Sequence, residues 1–102
     1  MTQSNAGYLV GNYSVTDEAS IADYARETLP LLQSFGGKVI VLNRNVIGLE
    51  GEPKSVLIIV EFPNIQNAKA FYDSAEYTAV KHLRIGATSG GFLTVTEGFE
   101  PH

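Results

Sequence analysis

An α+β fold is expected for this chain, with four antiparallel strands forming one sheet and two helices lying on one of its faces. Three observations point there. Residues 55–63 read SVLIIVEFP, a strand-length apolar run closed by proline. Two amphipathic helical patterns, separated by strand-like segments, follow the order β-α-β-β-α-β. Clusters of Gly, Asn and Pro fall between these segments, where turns are needed.

The central run decides most about the architecture. Its two alternating side-chain sets, Val56/Ile58/Val60/Phe62 and Leu57/Ile59, are both apolar, so both faces of the strand must be covered. Tyr8 to Val15 reads as the first strand, with Leu9, Tyr13 and Val15 on one side and Tyr8, Val10 and Asn12 on the other. Asp17 is a good N-cap, and Glu18 falls in the favourable first turn of a helix. Ile21, Tyr24, Ala25, Thr28, Leu32 and Phe35 then recur at helical spacing as one core-facing stripe. Pro30 interrupts the bond to the Arg26 carbonyl and predicts a kink, and Gly36-Gly37 ends the helix.

Lys38 to Leu42 is read as the second strand. Asn43-Arg44-Asn45 breaks it, Val46 to Leu49 resumes it, and Gly51-Glu52-Pro53-Lys54 turns the chain into the central run. Pro63-Asn64 opens the second helix, with Ala68, Phe71, Tyr72 and Ala75 at core spacing. Ser74 interrupts that helix and caps a continuation from Ala75 to about Ile85. Gly86 to Gly91 is expected to be loop, Phe92 to Glu97 the last strand, and Phe99 to His102 a tail. This order is the ferredoxin-like plan, in a single domain spanning residues 1–102.

An apolar sheet face left without helices would exceed the ~300–600 Å² patch that a soluble monomer tolerates. Closing it against an identical sheet hides roughly 800 Å² per partner. A homodimer through the open sheet face is therefore expected.

Composition removes several functions. The chain has 102 residues, 44% hydrophobic and 18% charged, with a formal net charge of -4. That balance describes a folded globule. Its sign, and the absence of Lys/Arg runs, speak against nucleic acid or an anionic membrane as partner. There is no cysteine, hence no disulfide, thiolate ligand or cysteine nucleophile. Met1–Gly7 lacks the pattern of a signal peptide, and no stretch approaches a membrane span, so a cytoplasmic location is expected. His82 and His102 are the only histidines, so no metal cluster can be assembled within a chain. No dinucleotide, phosphate-loop, esterase or zincin motif occurs, and no cofactor is implied.

Several segments together, FGGK at 35–38, LEGE at 49–52, VEFPN at 60–64, FYDSAEY at 71–77 and the following Arg84, resemble a bacterial family of domains of unknown function in the dimeric α+β barrel superfamily. The resemblance runs from Tyr8 to Gly98. It implies the ferredoxin-like fold and a sheet-to-sheet dimer but no reaction. Better-known members of that superfamily include cofactor-free monooxygenases, muconolactone isomerases and haem-degrading enzymes, which use a cavity between sheet and helices. None of their catalytic motifs matches this chain.

The residues that could carry chemistry are few. Glu61 is a carboxylate in an apolar strand, so it must be exposed, paired with a cation, or serve as a base in a pocket. Tyr77 and Arg84 are seven residues apart on one helical stripe and could grip an anionic or carbonyl-bearing ligand. Tyr72 points toward the sheet by its spacing. Arg44 could aim at the pocket mouth or dimer seam, with Glu50 as partner. Asn12 could bond a neighbour or line a cavity. The expected site is thus Glu61 and Arg84 as catalytic groups, with Asn12, Arg44, Tyr72 and Tyr77 binding ligand. Two functions fit it. One is a homodimer that binds a small molecule without turnover. The other is a cofactor-independent monooxygenase- or isomerase-like enzyme acting on an aromatic or enolisable carbonyl compound. In the enzyme, Arg84 and Tyr77 would bind oxygen while Glu61 handles a proton. Whether Glu61, Tyr72, Tyr77 and Arg84 converge on one cavity decides between them.

Overall fold

The structure is a computed structural model and describes residues 5–99. The elements run β1 (Gly7–Val15), α1 (Glu18–Ser34), β2 (Lys38–Asn43), β3 (Val56–Phe62), α2 (Ile65–Asp73), α3 (Ala75–Ile85) and β4 (Thr88–Glu97). The four strands form one antiparallel sheet in the order β2-β3-β1-β4. This is the ferredoxin-like topology, with the expected second helix divided in two.

Local chemistry sets the boundaries as the sequence suggests. The Asp17 carboxylate accepts from the Ser20 backbone N–H at 3.2 Å and caps α1. That bond also holds the Asp17 carboxyl below its ordinary range. Pro30 lies inside α1, which continues to Ser34, and Gly36 takes a left-handed φ of 84° just beyond it. Asn64 caps α2 through the Asn67 N–H at 2.8 Å. Ser74 ends α2 with an extended ψ of 150° and caps α3, its hydroxyl accepting from the Tyr77 N–H at 3.1 Å.

The hydrophobic core lies between the sheet and the helices. Leu9, Leu32, Val60, Phe62, Ala68, Phe71 and Tyr77 are buried together there. Phe71 organises the aromatic part, with ring centroids 4.8 Å from Tyr77, 5.8 Å from Phe62 and 6.1 Å from Phe35. Among the described residues, the opposite face of the sheet carries no helix. Register places Val41, Ile59, Val10 and Thr94 side by side across its middle, and Lys38, Glu61, Tyr8 and Thr96 across one end.

Two expectations about strands fail. Residues 46–49 are not a strand. Residues 44–55 form an extended loop, tied near its ends by the Val46 N–H to the Ser55 carbonyl at 3.2 Å. The apolar spacing there instead leaves Ile47 and Leu49 almost fully exposed. The last strand begins earlier than expected, at Thr88, because Ser89 and Thr88 pair with Ser14 and Val15. A register shift opposite Asn12–Ser14 accommodates Gly90 and Gly91, both at positive φ. A Cβ at Gly91 would strike the Asn12 carbonyl, so the glycines that suggest a loop in fact form a bulge.

Candidate functional site

A cavity of about 300 Å³ opens between the sheet and α1. Its walls are apolar: Leu9, Val56, Ile58 and Val60 from the sheet, and Ile21 and Leu32 from α1. That volume lies at the lower end of the range for small-molecule sites. Polar groups reach it at two places.

At the first, three side chains are linked. Tyr24 of α1 and Tyr77 of α3 bring their hydroxyl oxygens to 2.7 Å, and the Arg84 Nε–H donates to the Tyr77 oxygen at 3.2 Å. The seven-residue spacing of Tyr77 and Arg84 puts them on one face of α3, as the sequence predicts. Tyr77 is fully buried, whereas Arg84 is half-buried and lines the cavity. Burial opposes the Arg84 charge, but the surrounding tyrosine oxygens, Tyr77 foremost, outweigh it and hold the guanidinium protonated. Tyr13 of β1 also lines the cavity, and burial pushes its hydroxyl above the usual range.

At the second place, the Arg44 Nη2 sits 2.6 Å from both Glu18 carboxylate oxygens, joining the end of β2 to the start of α1. Both side chains are exposed and both border the cavity. Arg44 therefore reaches the pocket mouth as expected, but its partner is Glu18 and not Glu50. The loop fold of residues 44–55 removes the strand that would have brought Glu50 alongside.

The remaining predicted residues lie elsewhere. Glu61 sits on the open face, where the Tyr8 hydroxyl donates to its Oε2 at 3.0 Å. That bond, with some burial, raises the Tyr8 hydroxyl above its ordinary range. Side-chain alternation along β3 puts Glu61 and the core residues Val60 and Phe62 on opposite faces. The sheet itself thus separates Glu61 from Arg84, and the expected catalytic pair is not brought together. Asn12 is buried, but its amide is fully engaged. Its Nδ2 donates to the Lys54 carbonyl at 2.9 Å and the Val56 carbonyl at 2.8 Å, and its Oδ1 accepts from the Lys54 N–H at 3.0 Å. It fastens the long loop to the central strand and borders a separate hollow beside that loop, with Leu57 and Phe92, rather than the cavity against α1. Tyr72 stacks on Tyr77, with centroids 5.4 Å apart, and lies beneath the Lys81 ammonium, bordering a separate shallow hollow. His82 is exposed.

Sequence reasoning misses Tyr13, Tyr24 and Thr28 as lining residues. Each falls on a core-facing stripe, where packing is the ordinary reading. The available signal is that all three carry a hydroxyl on stripes that face the same interior space. The Thr28 Oγ1 is buried without a hydrogen-bond partner among the described residues.

The molecule is thus a ferredoxin-like α+β domain with an apolar, ligand-sized cavity and a cationic group at its polar edge. The chain belongs to the family described as Domain of unknown function (DUF1330), whose model matches residues 6–99. No curated protein matches the sequence. Among solved structures, the methylated RPA0582 protein has a TM-score of 0.80 at 17% identity, covering 97% of this chain and 84% of its own. RPA0582 is a protein of unknown function from Rhodopseudomonas palustris. A Nitrosomonas europaea protein named as a candidate antibiotic biosynthesis monooxygenase has a TM-score of 0.59 at 12% identity, with 99% of this chain and 97% of its own covered. A NIPSNAP family protein of unknown function from Agrobacterium tumefaciens has a TM-score of 0.59 at 11% identity, over 98% of each chain. At these identities the likeness concerns the fold alone.

Proposed function

We propose that the protein is a cytoplasmic homodimer that holds a small, largely apolar molecule by an oxygen-bearing end in the cavity between sheet and helices. The observation that carries this reading is the Arg84 guanidinium, half-buried at the edge of an apolar cavity of about 300 Å³ and opposite no carboxylate among the described residues. The Tyr77 oxygen meets its Nε–H, and its remaining N–H groups, without a partner among the described residues, are placed to meet an oxygen of a ligand. The dimer is supported by the apolar middle of the open face, Val41–Ile59–Val10, which alternation turns away from the core.

A second reading, a cofactor-independent enzyme of monooxygenase or isomerase type, draws on the same donors, which could steady an enolate oxygen. It lacks a base. Among the described residues Glu18 is the single acidic one bordering the cavity, and Arg44 holds it. Glu61, the base the enzyme would need, faces the other side of the sheet. Binding without proton abstraction is therefore the better-supported function.

The test is a neutral probe, 3-phenylpropanol, followed by methyl-selective NMR. Shifts clustered on Leu32, Val60 and Ile58 are expected. Shifts confined to the open face would remove the cavity as a ligand site, as would the absence of shifts with both this alcohol and 3-phenylpropanoate at millimolar concentration.

A further inference from the structure

The tyrosine–arginine chain has a direction. Arginine offers only donors, so the Tyr77 oxygen accepts from the Arg84 Nε–H at 3.2 Å. Tyr77 is fully buried, and its own proton needs an acceptor. The Tyr24 oxygen stands 2.7 Å away. The reverse arrangement, with Tyr24 donating, would leave a buried phenolic proton without a partner. Arg84 therefore donates to Tyr77, and Tyr77 to Tyr24. The Tyr24 O–H is left free, and Tyr24 lines the cavity. Burial and the Tyr77 neighbour push the Tyr24 hydroxyl far above its ordinary range, so it remains a donor at neutral pH. A chain headed by a cation polarises each successive hydroxyl and strengthens the last donor.

The other guanidinium N–H groups of Arg84 make no hydrogen bond among the described residues. This end of the cavity thus presents donors and a net positive charge. Arg44 adds no free charge, because Glu18 neutralises it.

We infer that the cavity selects an apolar molecule bearing a carboxylate, with the Arg84 guanidinium and the Tyr24 hydroxyl as the two donors to its oxygens. The inference rests on the cavity being the ligand site. Both donors are anchored to the same Tyr77 oxygen, so they stand close enough for one carboxylate to reach both. A phosphate, with more oxygens and more charge, calls for more cations than one guanidinium. A cationic head would meet Arg84 with like charge.

Calorimetric titration with three probes of equal length, 3-phenylpropanoate, 3-phenylpropanol and 3-phenylpropylamine, tests the class. The acid is expected to bind about tenfold or more tighter than the alcohol, and the amine weakest. Arg84→Gln should abolish the preference for acid over alcohol. Tyr24→Phe, which keeps the ring and its packing, should weaken the acid more than the alcohol, and it decides the matter if Arg84→Gln fails to fold. Equal binding of acid and alcohol, or a Tyr24→Phe variant with an undiminished preference for the acid, overturns the carboxylate class while leaving the cavity reading intact. Failure of both acid and alcohol to bind overturns the cavity reading, and the ligand class with it.

Discussion

The two faces of the sheet are built from the same strands, yet they solve different problems. The helix-covered face packs Leu9, Val60 and Phe62 under Phe71 and Tyr77 and still leaves a cavity with a charged edge. The open face carries no helix among the described residues. Half-buried Val10, Leu57 and Ile59 occupy its middle, and the Lys38–Glu61–Tyr8 row closes one end. On the covered face, helices shut out water, so a polar group must find a partner or remain costly. On the open face, water or a second sheet remains available, and Glu61 needs only the Tyr8 hydroxyl. A carboxylate in an apolar strand therefore marks a site only when it points toward the side that is dry.

The sharpest way to break this contrast is to make the open face hydrophilic at its centre. Ile59 pairs with Val10 and Val41 in register. If two copies close over it, Ile59→Asp buries an unpaired carboxylate at the seam, at a cost of several kcal/mol. Dimer dissociation should strengthen about a hundredfold or more, with the strand content preserved by circular dichroism. Sedimentation velocity at micromolar concentration reads the result. An unchanged sedimentation coefficient would mean that the open face is not the interface.

A smaller effect is expected where the open face holds the long loop. Asn12→Ala removes three hydrogen bonds and leaves Lys54 and Val56 backbone groups unpaired next to the central strand. The loss should be about 1–3 kcal/mol in urea unfolding. Hydrogen exchange at Lys54 should accelerate, while amides in α1 and α3 stay protected. If α1 exchanged as fast as the loop, Asn12 would be stabilising the covered face too, and the division between faces would be wrong.

How much of this was legible in the residues follows the same division. The topology was, because periodicity reports which side of a strand is apolar, and Asp17, Asn64 and Ser74 are capping residues with a local mechanism. Tyr77 with Arg84 was legible as well, since seven residues return a helix to the same face. Glu61 was not assignable. Leu57 and Ile59, which share its face, are as apolar as Val56 and Ile58, so composition could not tell the dry side from the open one. The Arg44–Glu18 pair is not legible, because Glu18 lies in a helix start distant in sequence and no local pattern encodes such a contact. The glycines at 90 and 91 read as a loop because a bulge and a loop require the same left-handed backbone.

The last contrast lies within the covered face, between polar atoms a ligand can reach and one it cannot. Tyr24 and Thr28 are one turn apart on α1, and both border the cavity. The Thr28 Oγ1 is sealed from solvent and has no partner among the described residues, so its hydroxyl contributes a desolvation cost. Thr28→Val replaces that hydroxyl with a methyl of nearly the same shape. Because an unsatisfied buried hydroxyl is unfavourable by about 1–3 kcal/mol, the variant should be more stable, by about 1 kcal/mol after allowance for imperfect packing. Binding of 3-phenylpropanoate should be unchanged, since the atom removed is sealed from solvent. Urea unfolding and calorimetry measure the two quantities separately. A variant that gains stability but loses affinity would show that the hydroxyl turns toward the cavity when ligand is present. One that loses stability would show that Thr28 has a partner after all.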